Sequence, residues 1–195
     1  MADSAAGNSP HRIDAVTFLS STDVARDFVE DMVTRASRRL AVPCRLHVTP
    51  WDARARRLAG RDQVDADALL ATIDSSTEPG TVWMGVTAHD IGLALFTFVF
   101  GRARRYGHAA LVSLARLGPE SYGLPPDPDL VARRAVAEIM HELGHVAGLV
   151  HCRDMNCVMF FATNVETIDV RGTGFCAACA AQLPPHLVAP APVQA

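Results

Sequence analysis

Apolar positions along the chain fall into short continuous runs and helical stripes that alternate from Ile13 onward. Ile13 to Leu19 reads as a first strand, after which Ser21 or Thr22 can cap a helix whose Val24, Phe28, Met32, Ala36 and Leu40 recur at helical spacing. A second strand is expected at Cys44 to Val48. The stretch from Trp51 to Asp62 is polar and arginine-rich, as solvated surface is, and Ala66, Leu69, Leu70 and Ile73 then mark a short helix. Thr81 to Thr87, Leu93 to Phe100 and Ala109 to Leu114 are runs rich in Val, Leu and Phe, separated by Gly, Asp, Arg and His, which is how successive strands read. Pro125-Pro126-Asp127-Pro128 halts the chain. Asp127 is suited to cap a helix with Pro128 at its first position, and Val131, Ala135, Ile139, Leu143 and Val146 form its apolar stripe until Gly148 ends it. Strand, helix, strand, helix, several strands and a long helix predict an α/β or α+β layered domain, with the last helix packed on the sheet.

Composition narrows the picture without changing it. A chain of 195 residues with 49% apolar content suits one domain with one core. All 18 basic residues are arginine against 21 acidic ones, and the resulting net charge of −3 excludes a polycationic nucleic-acid binder. The apolar stretch from Ile91 to Phe100 is about half the length a membrane-spanning helix needs, and Met-Ala-Asp-Ser begins no export signal, so a soluble cytoplasmic protein is expected. Residues 1–11 are small and polar and 184–195 rich in Pro and Ala, so both are expected to be poorly ordered ends around a domain at 12–183.

The chemistry lies at the end of the long stripe, where residues 141–152 read His-Glu-Leu-Gly-His-Val-Ala-Gly-Leu-Val-His-Cys. Positions four apart on a helix lie about 40° from one another around the axis, so His141 and His145 can present two imidazoles to one ion. Glu142 is not a third ligand. Beside His141, it can face the open coordination position and act as general base, moving a proton from water to the leaving amine. In a continued helix His151 would fall roughly 240° from His145, out of reach. Gly148 can adopt the left-handed conformation that turns the chain, and three imidazoles then complete the ligand set of a catalytic zinc. In a chain of this composition a His-Glu-x-x-His match arises by chance roughly once per hundred chains, and requiring Gly148 and His151 lowers that to roughly a few in a hundred thousand. Such odds disfavour plain core histidines on an amphipathic helix.

Four of the five cysteines lie in two close pairs, Cys152 with Cys157 and Cys176 with Cys179. Four thiolates so grouped in a cytoplasmic chain suit a closed tetrahedral zinc; a redox role for the second pair is the main rival, and it lacks a thioredoxin-like strand-to-helix setting. Cys44, after Pro43 at the start of an apolar stretch, reads as a small core residue.

The three-histidine motif resembles the metzincin clan of zinc peptidases, and its surroundings resemble one family, the archaemetzincins. That family's pattern continues past the third histidine as Cys152, Cys157, Met159, Cys176 and Cys179 do here, and Phe98-Val99-Phe100-Gly101 and Val112 to Leu117 resemble the strands before its active-site helix. The likeness spans about residues 82–179. Met159 and Cys176 are separated by 16 residues, one fewer than in the family, as a one-residue loop deletion would leave them. The resemblance implies a single compact metzincin-like domain: a mixed sheet packed on helices, an active-site helix at about 128–148, and an irregular C-terminal segment, 152–179, bound to a four-cysteine zinc. It implies a zinc metallopeptidase acting on peptide or protein substrates, with two zinc ions per chain, one catalytic on His141, His145 and His151 and one structural. It also gives Met159 the place of an apolar floor beneath the metal, which on chain physics alone is no better than a plain core methionine.

The alternative is a zinc-stabilised binding or sensing module with a vestigial site; an intact Glu142 argues against it. Leu93 to Phe100, as an edge strand, would be able to pair with an extended peptide, or be simply core. His47, His89 and His108 have no ligand spacing, Arg102, Arg104 and Arg105 suggest a solvated turn, and Glu138 either orients a ligand histidine or faces solvent.

Overall fold

The computed structural model describes residues 12–48, 56–74 and 78–189. Trp51 to Ala55, residues 1–11 and residues 190–195 lie outside the described residues, and so does most of what was expected of the two ends. The strands are β1 (Ala15–Ser20), β2 (Cys44–Val48), β3 (Val64–Asp65), β4 (Thr81–Thr87), β5 (Ile91–Gly92), β6 (Gly101–Ala103) and β7 (Ala109–Ser113). Five of them form a mixed sheet in the order β2-β1-β4-β7-β6, parallel throughout except that β6 runs antiparallel to β7 along one edge. β3 and β5 make a separate parallel pair.

The residues of β7 show why the sheet carries helices on both faces. All five are buried: Ala110 and Val112 join one core with α1 (Arg26–Ser37) and α3 (Pro128–Val146), while Ala109 and Leu111 join a second with α2 (Ala66–Ile73). A strand covered on both sides loses its polar alternation and reads as an unbroken apolar run, which is how its sequence looked. α3 lies in the larger core, packed against β6 and β7, and from Ala132 onward nearly every residue is buried. Asp127 accepts from the backbone N–H of Leu130 and Pro128 occupies the first turn, as expected. Within the irregular C-terminal segment two short helices form, α4 (Val165–Val170), capped by Asn164, and α5 (Ala177–Ala180). Among the described residues no helix is long and apolar enough to cross a membrane.

Three expectations need correction. α1 starts at Arg26 after an Ala25 that makes no side-chain cap; Ser21 and Thr22 do not cap it, and Ser21 instead accepts the backbone N–H of Val24 in a tight turn. Leu93 to Phe100 is not a strand. The Arg61 guanidinium donates to the carbonyls of Leu93, Phe96 and Thr97, meeting the backbone's need for partners without a ladder, and Leu95 is 93% exposed. The edge strand is β6, immediately after it. Finally, ordered packing passes residue 183: Leu187 is 1% exposed, and Leu40 and Val188 pair across a β-bridge.

Candidate active site

α3 ends in a Schellman turn. Gly148 donates to the His145 carbonyl and Leu149 to that of Gly144, both at 2.9 Å, with Gly148 at φ +103°. A Cβ at Gly148 would also lie 2.1 Å from the Tyr106 ring, so glycine is required there twice over. The turn redirects the chain and returns His151 to its partners: its ring centroid lies 5.3 Å from that of His141 and 4.9 Å from that of His145.

Backbone carbonyls orient two of the rings. His141 Nδ1 lies 2.8 Å from Val158 O and His145 Nδ1 lies 2.9 Å from Leu149 O, contacts that place the proton on Nδ1 and leave Nε2 as a free lone pair. The two Nε2 atoms are 3.1 Å apart. His151 is exposed and packs on Phe161 at 4.6 Å between centroids. Burial, then the neighbouring His145, holds His141 well below the ordinary histidine pKa, which favours the neutral, ligating form.

Zinc fits this donor set. Tetrahedral zinc spaces imidazole nitrogens about 3.3 Å apart and thiolate sulfurs about 3.8 Å apart. The donor atoms of His141, His145 and His151 gather within 4.8 Å of one another, as do those of Cys152, Cys157, Cys176 and Cys179, and Cys152 Sγ lies 3.9 Å from Cys176 Sγ. Backbone amides are directed at the sulfurs, Asp154 N–H at Cys152 and Cys176 N–H at Cys157. Cys44 stands outside the group, half-buried at the start of β2.

Glu142 is buried, and its Oε2 finds no hydrogen-bond partner among the described residues. Burial, then the nearby Glu138 carboxylate, pushes its carboxyl well above the usual range. It faces β6, where a Cβ on Gly101 would come within 2.5 Å of Oε1. Both line a cleft of about 440 Å³ whose walls include Phe96, Phe98 and Phe161. Met159 is fully buried against Gly144, between the two helical histidines in sequence; a Cβ at that glycine would meet its Sδ at 2.4 Å.

Glu138 does not face solvent, nor does it reach a histidine itself. It pairs with buried Arg171, whose guanidinium also donates to the Phe160 carbonyl at 2.9 Å and lies 3.3 Å from His141 Nδ1. The expected solvated turn is only part of the truth, since Arg102 and Arg105 also line the cleft. Sequence reasoning missed Arg171 and the Val158 carbonyl, and named Gly101 only as the end of a family-like segment, not for its place against Glu142. Only Gly101, a small residue ending an apolar run, carried any local signal.

Residues 59–184 match the family described as peptidase family M54, a longer stretch than the motifs alone suggested. The chain is 40% identical over 123 residues to an archaemetzincin of Methanocaldococcus jannaschii, covering 63% of this chain and 67% of that one. It is 42% identical over 119 residues to an archaemetzincin of Methanopyrus kandleri, covering 61% and 65%, a little under two thirds of that relative's length. Its fold is similar to that of a zinc-dependent peptidase from Methanocorpusculum labreanum, with a TM-score of 0.78 and 25% identity over 87% of this chain and 100% of the other. By this match, across well over half its length, the chain belongs to peptidase family M54.

Proposed function

We propose that the protein hydrolyses peptide bonds with one zinc on His141, His145 and His151 and is held in shape by a second on Cys152, Cys157, Cys176 and Cys179. The observation that carries the reading is Glu142: a buried carboxylate with an unpartnered oxygen beside three convergent imidazoles serves no scaffold, whereas a proton carrier needs that position. Zinc, when bound, supplies a Lewis acid that lowers the pKa of water and polarises a carbonyl.

The protein supplies the rest. The Val158 and Leu149 carbonyls hold His141 and His145 with Nε2 forward. Glu142 takes a proton from the attacking water and gives it to the leaving amine, from a position beside the three imidazoles with one carboxylate oxygen unpartnered among the described residues. β6 lies at the sheet edge with its outer side unpaired among the described residues, so an extended peptide can add to it as a further strand and pass Glu142 at Gly101. Phe96, Phe98 and Phe161 offer an apolar wall that excludes water and receives a side chain. Four thiols gathered as one ligand set suit a reducing cytoplasm.

The test is a peptide library with wild type and Glu142→Gln. Wild type should cleave, and the variant should keep two zinc ions per chain by elemental analysis while losing nearly all turnover. Retained turnover in the variant, or one zinc in replete wild type, refutes the assignment.

A further inference from the structure

Arg105 differs from its neighbours because no carboxylate pairs with it among the described residues. Arg102 holds Asp67 at 2.7 Å and Arg104 holds Asp74 at 2.6 Å. Arg105 lies instead over the Tyr106 ring, 5.2 Å from its centroid. That platform is fixed: Tyr106 is the left-handed residue of the turn, its N–H donates to Val146 O at 3.0 Å, and its ring fits against Gly148. Arg105 lines the cleft, where the described carboxylates are Glu138, neutralised by Arg171, and Glu142. A chain of net charge −3 therefore keeps at the rim of its site a cation that no carboxylate pairs with among the described residues.

For a peptide that adds antiparallel, the direction of β6 fixes which part meets that cation. A peptide added antiparallel to β6 has its reacting bond near Gly101, against Glu142, and its N-terminal half runs past Ala103 toward Arg105. At about 3.3 Å per residue, and with the turn beginning after Ala103, the guanidinium faces side chains roughly two to four residues before the scissile bond.

We propose that Arg105 determines specificity by selecting peptides with an aspartate or glutamate side chain in that upstream stretch. This rests on the peptide-hydrolysis reading above. The ion pair it forms is partly exposed, so its effect is modest and sensitive to salt.

The experiment uses the full-length, zinc-replete protein and matched peptides carrying Glu, Gln or Lys at each of the upstream positions. At one or more of them kcat/KM should favour Glu over Lys by about fivefold at low salt, and the preference should shrink by 0.5 M NaCl, about where the Debye length falls below 5 Å. Arg105→Gln should abolish the preference and Arg105→Glu should invert it, whereas Arg104→Gln should keep it. Polarisation binding of the same peptides to the Glu142→Gln protein should show the same order without turnover. Cleavage with equal rates for Glu and Lys at every upstream position, or a preference unchanged in Arg105→Glu, overturns the inference and leaves the hydrolase reading standing. If no peptide is cut in a Glu142-dependent way, the hydrolase reading fails and takes this one with it.

Discussion

Replacing Gly101 by alanine should disable the site without touching a ligand. Gly101 has no positive φ, so alanine suits its backbone, yet the new Cβ would lie 2.5 Å from Glu142 Oε1 and 2.8 Å from both Cδ and Cγ. Ordinary contact begins near 3.4 Å, so the carboxylate must withdraw by roughly 1 Å. A displacement of that size in a reacting group costs about a hundredfold in rate, equivalent to about 2.7 kcal/mol of transition-state stabilisation. His141, His145 and His151 are not among the three atoms nearest to the new methyl, so zinc should stay. The assay is kcat and KM on one good peptide, with zinc content and thermal midpoint measured in parallel. We expect kcat to fall by about a hundredfold, KM to change by less than about threefold, and both zinc ions to remain. A variant with kcat within about threefold of wild type would show that the distance between the edge strand and Glu142 does not govern proton transfer.

Two further predictions concern support. Cys176→Ser should weaken the catalytic zinc as well as its own, since Val158 follows Cys157 in the chain and orients His141, while Cys152 follows His151 and donates to Met159 O; each residue newly ordered costs about 1–2 kcal/mol, so competitive chelator titration should show at least about a fivefold loss at the three-histidine site, and unchanged affinity there would make the sites independent. Arg171→Met leaves Glu138 buried without its partner and should cost about 3–5 kcal/mol in denaturant unfolding, while Glu138→Leu with Arg171→Met should recover most of it; equal losses in the two would mean that packing, not charge, holds that corner.

What the sequence revealed follows the range of the interactions involved. The cap at Asp127, the stripe of α3 and the turn at Gly148 depend on neighbours within a few positions, and all three could be read directly. Arg171 could not, because its partners Glu138 and Phe160 are 33 and 11 residues away and nothing beside it marks it as buried. Leu93 to Phe100 misled for the same reason: its apolar run is real, but Arg61, more than 30 residues earlier, takes its carbonyls. Even Gly148 was only half legible, since its φ is local while the ring that fills the space beside it belongs to Tyr106.

That last contact has a mechanical side. Tyr106 rivets the tip of the β6–β7 hairpin to the end of α3 through its amide and its ring, so hairpin and helix bear load as one piece. A peptide added along β6 would therefore meet an edge strand braced against the helix that carries Glu142. The side chains of the cleft wall have more room, since Phe96 and Phe161 are each about half exposed, at 51% and 48%. On the proposed function, such a cleft would act as a fixed anvil for the substrate backbone and leave more room for the side chains that hang from it.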